Sequence, residues 1–136
     1  MANITKEKLS SSDGGRPILI QGTLTSNATN LHSITSNANV YHEVWLYANN
    51  FSASNVSLTL QYGNNIANAT NNDRIVYGIP AASGFTIITP GTVLQGTEFG
   101  QRYISAFTNV GNTTTITGFV NNIVVQILCL VVQCQV

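Results

Sequence analysis

Short runs of apolar and β-branched residues alternate along the chain with clusters of Gly, Asn, Ser and Pro. In the clearest run, residues 56–62, the apolar side chains of Val56, Leu58 and Leu60 share one face, and polar side chains fill the other. A period of two is typical of an antiparallel strand with one buried and one solvated face. Comparable runs predict strands at 17–25, 41–48, 74–79, 85–89, 92–95, 102–108, 113–120 and 123–131.

Turn-forming residues lie between these runs. Gly63, Gly91 and Gly111 each stand beside Asn or Pro, and Gly and Asn tolerate the positive φ that tight hairpin turns require. No window of helical length keeps a clean helical spacing of apolar residues. About eight short strands in 136 residues predict an all-β fold, a single antiparallel β-sandwich with a jelly roll as the candidate topology.

The two ends of the chain differ from its body. Residues 1–16 hold half of the ten charged residues and a Ser/Gly run, which predicts a flexible N-terminal arm before a β-sandwich at 17–123. Residues 124–136 are mostly apolar and carry no charge, which predicts a C-terminal strand or tail. An apolar edge strand without Lys, Pro or a bulge promotes aggregation. We therefore expect this segment to pair as an added strand with another subunit, or else within its own sheet.

Charged residues are scarce along this chain. The formal net charge is zero, and charged residues make up 7% of the sequence against about 25% in an average domain. Such a chain lacks the basic patch that binds phosphates, so we expect no nucleic-acid partner. The most apolar stretch, 123–132, is too short to span a bilayer, so we expect no membrane segment. The first fifteen residues lack a signal-peptide pattern, which favours a protein that is not secreted.

The residues available for catalysis are two His, five carboxylates and two Cys. His42 and Glu43 are neighbours on one predicted strand, so their side chains point to opposite faces and cannot act on one atom. A Ser-His-Asp set could combine His32 or His42 with Asp73, but no local motif marks a serine as its nucleophile. A glycosidase pair would need Glu43 and Glu98 at a spacing that the sequence does not fix. We expect no catalytic residue and no cofactor.

Two other candidate binding features favour structural roles. Cys129 and Cys134 form a lone C-x4-C pair, and the histidines lie far upstream, so we expect no metal site. Trp45 is the single tryptophan and stands among apolar residues on a predicted strand. This setting favours core or interface packing, with a sugar-stacking platform as the alternative.

Five short motifs occur in an order that resembles a known family. They are Gly15-Arg16-Pro17-Ile18, Leu46-Tyr47-Ala48, Leu58-Thr59-Leu60, Ile79-Pro80 and Gly118-Phe119-Val120-Asn121. With these motifs the chain resembles the small tailed-bacteriophage head decoration, or capsid cement, proteins over about residues 9–123. It departs from that family after Asn121, where the apolar tail continues.

The resemblance implies a non-enzymatic virion structural protein that is made in the bacterial host cytoplasm and lies on the capsid exterior. Its partners would be the major capsid protein, whose subunits it links, and further copies of itself, with a trimer favoured. We place the partner interface in the terminal segments, at Leu9, Arg16, Pro17, Ile127, Leu128, Leu130 and Val132. The alternatives are a carbohydrate- or receptor-binding module of a phage tail fibre or tail tip, and a secreted adhesin domain.

Overall fold

The computed structural model describes residues 2–63 and 69–125. In these ranges nine strands follow one another: β1 Ala2–Lys8, β2 Ile18–Ile20, β3 Thr29–Ile34, β4 Val40–Asn50, β5 Val56–Tyr62, β6 Arg74–Ile79, β7 Thr86–Gln95, β8 Arg102–Thr108 and β9 Thr114–Val125. Single turns of 3-10 helix lie in two connections, at Thr25–Asn27 and Asn71–Asp73. No helix within the described ranges is long and apolar enough to cross a membrane.

The strands form two antiparallel sheets. Sheet A has the order β1-β9-β4-β7, with β2 paired to β9 beyond the end of β1. Sheet B has the order β3-β8-β5-β6. From β2 onwards every connection crosses between the sheets, except the one from β5 to β6. With β1 and β2 taken as one interrupted edge strand, this is the eight-stranded jelly roll. The predicted all-β antiparallel sandwich is confirmed.

Strand β4 shows most clearly how the sequence produces this fold. Its residues alternate strictly between buried and half-buried positions along its whole length. Val44, Leu46 and Ala48 point into the core and are fully buried. The core between the sheets also contains Leu9, Ile20, Leu31, Ile34, Leu58, Leu60, Ile79, Ile104, Ile116 and Val120. The other half of the β4 pattern leaves aromatic and polar side chains on the outer surface of sheet A.

A buried asparagine fixes one end of the sandwich. Asn50 Nδ2 donates to the carbonyl oxygens of Ser54, at 2.8 Å, and Ile79, at 3.1 Å. Asn50 Oδ1 accepts from the Ser52 amide at 3.0 Å and from its hydroxyl at 2.7 Å. Because a paired amide can be buried at little cost, this side chain ties the connection after β4 to the end of β6.

The N-terminal segment is a strand and not a flexible arm. β1 pairs with β9 along its whole length, and Leu9, which is 1% exposed, then enters the core. The Ser11 amide donates to the carbonyl oxygen of Leu31, which fastens the chain to β3. The charges that suggested an arm fit this strand because it lies at a sheet edge, where lysines face solvent and oppose further pairing.

Three further expectations about strands are corrected. The predicted strands at 85–89 and 92–95 are one strand, β7, in which Gly91 has a φ of 79° at a bulge. Pro90 is tolerated there because β7 is an edge strand.

The runs at 113–120 and 123–125 are likewise continuous as β9, so the sandwich includes Val125 and does not end at 123. The sequence did not predict β3 because a bulge after Asn30 breaks its alternation. Residues 126–136 of the predicted tail lie outside the described residues.

Gly118→Ala tests the close approach of β4 and β9. A Cβ atom at Gly118 would lie 2.1 Å from the carbonyl oxygen of Trp45, and paired backbone cannot easily move aside. We expect this variant to lower the free energy of unfolding, measured in urea, by about 2–3 kcal/mol. Gly78→Ala on β6 is the matched control, because a Cβ there meets nothing within 4 Å, and its effect should stay within about 0.5 kcal/mol. Equal losses in the two variants would contradict the pairing of β4 with β9.

Candidate functional site

The outward side chains of sheet A form one continuous surface, which we call the sheet A face. Strands β4 and β9 lie at its centre, where Trp45 stands directly opposite Phe119 and Glu43 opposite Asn121. The face consists of Ile4 and Lys6 on β1, Phe119, Asn121 and Ile123 on β9, Tyr41, Glu43, Trp45 and Tyr47 on β4, and Phe85, Ile87 and Val93 on or beside β7. Aromatic and aliphatic side chains therefore dominate it.

A ladder of side chains crosses the middle of this face. The rings of Trp45 and Phe119 are nearly parallel, with an interplanar angle of 10° and centroids 6.2 Å apart. On the β1 side, Lys6 Nζ lies 4.7 Å from the centroid of the Phe119 ring, in the position of a cation–π contact. On the β7 side, a Cβ atom at Gly91 would lie 2.9 Å from Trp45 Cζ2, so glycine leaves the room that the indole needs. The indole is thus packed between Phe119 and Gly91.

Glu43 holds the polar centre of the sheet A face. Its Oε1 atom accepts hydrogen bonds from Asn121 Nδ2 at 2.7 Å and from Trp45 Nε1 at 3.1 Å. These two bonds, with that of Asn121 the stronger influence, lower the pKa of Glu43 below its ordinary value of 4.5. The carboxylate is therefore charged at neutral pH, and the single indole donor of the chain is satisfied within the protein.

Large apolar side chains surround this centre and are mostly exposed. The exposed fraction is 68% for Ile4, 58% for Ile87, 54% for Val93 and 72% for Phe85. The Phe85 ring also lies 5.6 Å from that of Tyr47, which extends the aromatic surface to the β7 edge. A contiguous exposed patch of this kind marks an interaction site in a soluble protein.

The outer face of sheet B differs because the chain covers part of it. Gln61 and Ser105 point outward from β5 and β8, yet both are fully buried, and Gln61 Nε2 donates to Ser105 Oγ at 2.9 Å. The β2–β3 connection packs against β8 here, and Arg74 Nη2 donates to Thr25 Oγ1 at 2.7 Å. Within the described residues, sheet A is the layer whose outer surface is the more open of the two.

A second polar site lies at the seam between the two sheets. His32 Nε2 and His42 Nδ1 are hydrogen-bonded at 2.7 Å, and both side chains are almost fully buried. They line a cavity of about 500 Å³ together with Glu7, Lys8 and Asn122. Burial, followed by the neighbouring His42, lowers the pKa of His32 to about 4, and burial also lowers the pKa of His42. Both imidazoles are therefore neutral at pH 7.

The candidate catalytic residues do not come together. His32 lies on β3 and Asp73 just before β6, and these strands are opposite edges of sheet B, three strand spacings or about 14 Å apart. His42 points into the sandwich and Glu43 onto the sheet A face, as predicted, whereas Glu98 is exposed in the β7–β8 connection. The described ranges hold no group of three or more His, Cys, Asp or Glu side chains that could bind a metal ion. The two cysteines lie outside those ranges.

The predicted interface residues lie in different environments. Leu9 is in the core, so its side chain is not available to a partner. Arg16 and Pro17 are exposed between β1 and β2, and Arg16 forms an exposed ion pair with Asp13 at 3.4 Å. The remaining four lie outside the described residues: Ile127, Leu128, Leu130 and Val132.

Sequence reasoning singles out Trp45 but misses the other side chains of the ladder. Lys6 belongs to the segment that was expected to be an arm, and Phe119 lies more than seventy residues further along the chain than Trp45. A signal was present in the alternation of β4, because Trp45 and Tyr47 have the opposite phase to the buried Val44 and Leu46. Two aromatic residues on the solvated phase of a strand indicate an exposed aromatic surface.

No protein-family model matches the sequence, and no curated protein matches it. A structural comparison finds similarity to a chain from the crystal structure of the T13 IBDV viral particle. The TM-score is 0.40 and the sequence identity 13%, and the alignment covers 90% of this chain and 31% of that one. The chain thus spans about a third of the length of that neighbour.

Gly91→Ala tests the packing of the ladder. The φ angles of Gly91 and Gly84 are 79° and 65°, so alanine strains the backbone at both positions, but only at Gly91 does the new Cβ meet the indole of Trp45. We expect Gly91→Ala to alter the fluorescence and near-UV circular dichroism of Trp45, and to cost about 1 kcal/mol more stability than Gly84→Ala. Unchanged spectra together with equal losses would rule out the contact.

Proposed function

We propose that this protein is a non-enzymatic virion structural protein that decorates the exterior of a tailed-phage capsid and links its major capsid subunits. The observation that carries this proposal is the sheet A face, a largely uncharged aromatic surface that none of the described residues covers. The resemblance of the sequence motifs to the head decoration proteins agrees with the same role.

The dimensions of the face suit a stable protein interface. Four strands spaced by about 4.8 Å, with the 11 residues of β4 at about 3.3 Å each, give roughly 19 Å by 36 Å, or about 700 Å². A standard interface buries about 800 Å² on each partner. Interface centres are rich in Trp, Tyr and Phe and poor in charged groups. Glu43 fits such a centre because Trp45 and Asn121 continue to bond it when water is removed.

The edges of sheet A favour docking on its face. β1 presents Lys6 and Lys8, and β7 carries Pro90 and two irregularities in its register. Lysines, proline and bulges on an edge strand oppose the addition of a further strand. A partner therefore lies flat against the sheet A face and does not extend the sheet.

Copies of the chain also associate in this proposal, with a trimer favoured. Residues 126–136 carry no charge, and their apolar side chains need a cover that a second copy or the major capsid protein would provide. The protein would reach the capsid exterior after synthesis in the bacterial host cytoplasm.

The competing proposal is a carbohydrate- or receptor-binding module of a phage tail fibre or tail tip. Sugar rings stack on open aromatic faces, but the indole of Trp45 is packed between Phe119 and Gly91. Phe85 and Tyr47 are the aromatic side chains that favour this alternative, because they lie together at the exposed β7 edge. A glycan array probed with the purified chain distinguishes it, since a decoration protein is expected to bind no glycan.

Val93→Lys tests docking on the particle. Val93 lies on the sheet A face opposite Glu43, and Val76, a second exposed valine on an edge strand, provides the control variant Val76→Lys on β6. Cryo-electron microscopy of virus particles from the genome that encodes the chain should place it on the capsid exterior. We expect Val93→Lys to reduce its occupancy at least tenfold, because docking would have to desolvate the new lysine together with the Glu43 carboxylate opposite it, while Val76→Lys binds normally and both keep the wild-type melting temperature.

Two results would contradict the proposal. One is density for the chain at the tail tip, or its absence from the particle. The other is an occupancy of Val93→Lys equal to that of Val76→Lys on the same particles.

A further inference from the structure

The segment that follows β1 closes the seam between the edges of the two sheets. The Ser33 amide donates to Ser10 Oγ at 2.8 Å, and the Ser11 amide donates to the Leu31 carbonyl oxygen at 3.2 Å. The Ser10 amide donates to Nδ1 of His32, on β3, at 3.0 Å. His32 in turn bonds His42, on β4 of sheet A. One chain of hydrogen bonds therefore joins the N-terminal segment, sheet B and sheet A.

The donors and acceptors in this series of hydrogen bonds determine which ring nitrogens carry protons. A backbone amide can only donate, so His32 Nδ1 is the acceptor and carries no proton. A neutral His32 then carries its proton on Nε2, which donates to His42 Nδ1. His42 must accept at Nδ1, so its own proton lies on Nε2. The arrangement has no place for another proton between these three groups.

An added proton must therefore break one of the two bonds. On His32 Nδ1 it would face the Ser10 N–H, and on His42 Nδ1 it would face the His32 N–H across 2.7 Å. We propose that the Ser10–His32–His42 series of hydrogen bonds is an acid-labile latch, which strengthens the attachment between the β1 and β3 edges when both histidines are neutral and weakens it when either is protonated.

The charged groups around the pair come from β1 alone among the described residues that line the cavity. Glu7 favours the charged form of His42, and Lys8 disfavours that of His32. The strands β3, β4 and β9 and the β3–β4 connection contribute only uncharged residues, Ser33, Thr35, Val40 and Asn122. Burial is the largest influence on both rings. The pKa of His32 is about 4 in the folded chain against an ordinary 6.5, so the open form binds protons first as the pH falls. Latch stability is full above pH 6.5 and is lost between there and about pH 4.

Release of the latch changes more than the seam. β1 carries Ile4 and Lys6, which belong to the sheet A face, and its C-terminal end is the point where the latch is attached. Opening of the seam therefore loosens one side of that face. The latch is a property of the isolated protein and does not depend on the proposed function.

Nuclear magnetic resonance of the full chain tests the latch directly. Nitrogen-15 shifts of the imidazoles at pH 7 should show both rings as neutral with the proton on Nε2. Between pH 7 and pH 5 the exchange protection of the Ser10 amide should fall about twentyfold. This factor counts His32 alone, with a pKa of about 4 when the latch is closed and 6.5 when it is open. The amide of Leu60, on the central strand β5, is the control and should keep its protection.

The double variant His32→Gln with His42→Asn removes both titrating groups. Its Ser10 protection, measured from pH 7 to pH 5, should not depend on pH. If this double variant does not fold, the pH dependence of Ser10 protection in the wild-type protein decides the test. The latch is overturned by a His32 tautomer with its proton on Nδ1, or by Ser10 protection that changes less than twofold over this range. It is equally overturned by Leu60 losing protection in parallel with Ser10, because that would mean global unfolding.

Discussion

The register of β4 against β9 is the constraint on which the rest of this structure depends. It runs from Val40 opposite Val124 to Asn50 opposite Thr114 without interruption. Because side chains alternate across a strand, a slip of one residue would move Trp45 to the core and Leu46 to the surface. The same pairing thus builds the core and the sheet A face at once. A Cβ atom at Gly118 would collide with the Trp45 carbonyl oxygen, so this pairing requires glycine there.

A chain with so few charges must satisfy its polar groups by neutral hydrogen bonds. Asn50 does this at one end of the sandwich, the amide nitrogen of Gln61 with Ser105 on sheet B, and the histidine pair at the seam. The ion pair described between Arg16 and Asp13 is exposed and stabilises the fold little. Salt should therefore affect this protein weakly. Its response to acid includes the two buried imidazoles, where burial opposes protonation, and Glu43, whose hydrogen bonds lower its pKa.

Local patterns in the sequence predict much of the fold. The runs at 56–62, 74–79 and 102–108 agree with β5, β6 and β8 residue for residue, because each is rich in β-branched and aromatic residues and is bounded by Gly, Asn, Asp or Pro. Only the run at 56–62 also alternates between apolar and polar residues. β1 was not predicted because its partner, β9, begins more than a hundred residues later, and a charged strand forms there only when that edge is available. β3 was missed because its bulge breaks the period.

The candidate site is less predictable than the fold because it depends on contacts between residues that are distant in sequence. Trp45 stands out by its neighbours in sequence, but its packing depends on Phe119 and Gly91, which two other strands bring beside it. Lys6, on a third strand, then packs against Phe119. The hydrogen bond between His32 and His42 likewise joins two sheets. No local pattern encodes contacts of this kind, since they follow from strand order and register.

Acrylamide quenching of the single tryptophan tests most directly whether the sheet A face is the docking surface. Trp45 is half-buried in the isolated chain, and its emission can be followed without a label. Docking through the sheet A face predicts that the quenching constant falls several-fold when the chain binds virus particles stripped of it, provided that the emission is corrected for the particle alone. An unchanged quenching constant on particles that carry the bound chain would contradict docking through this face.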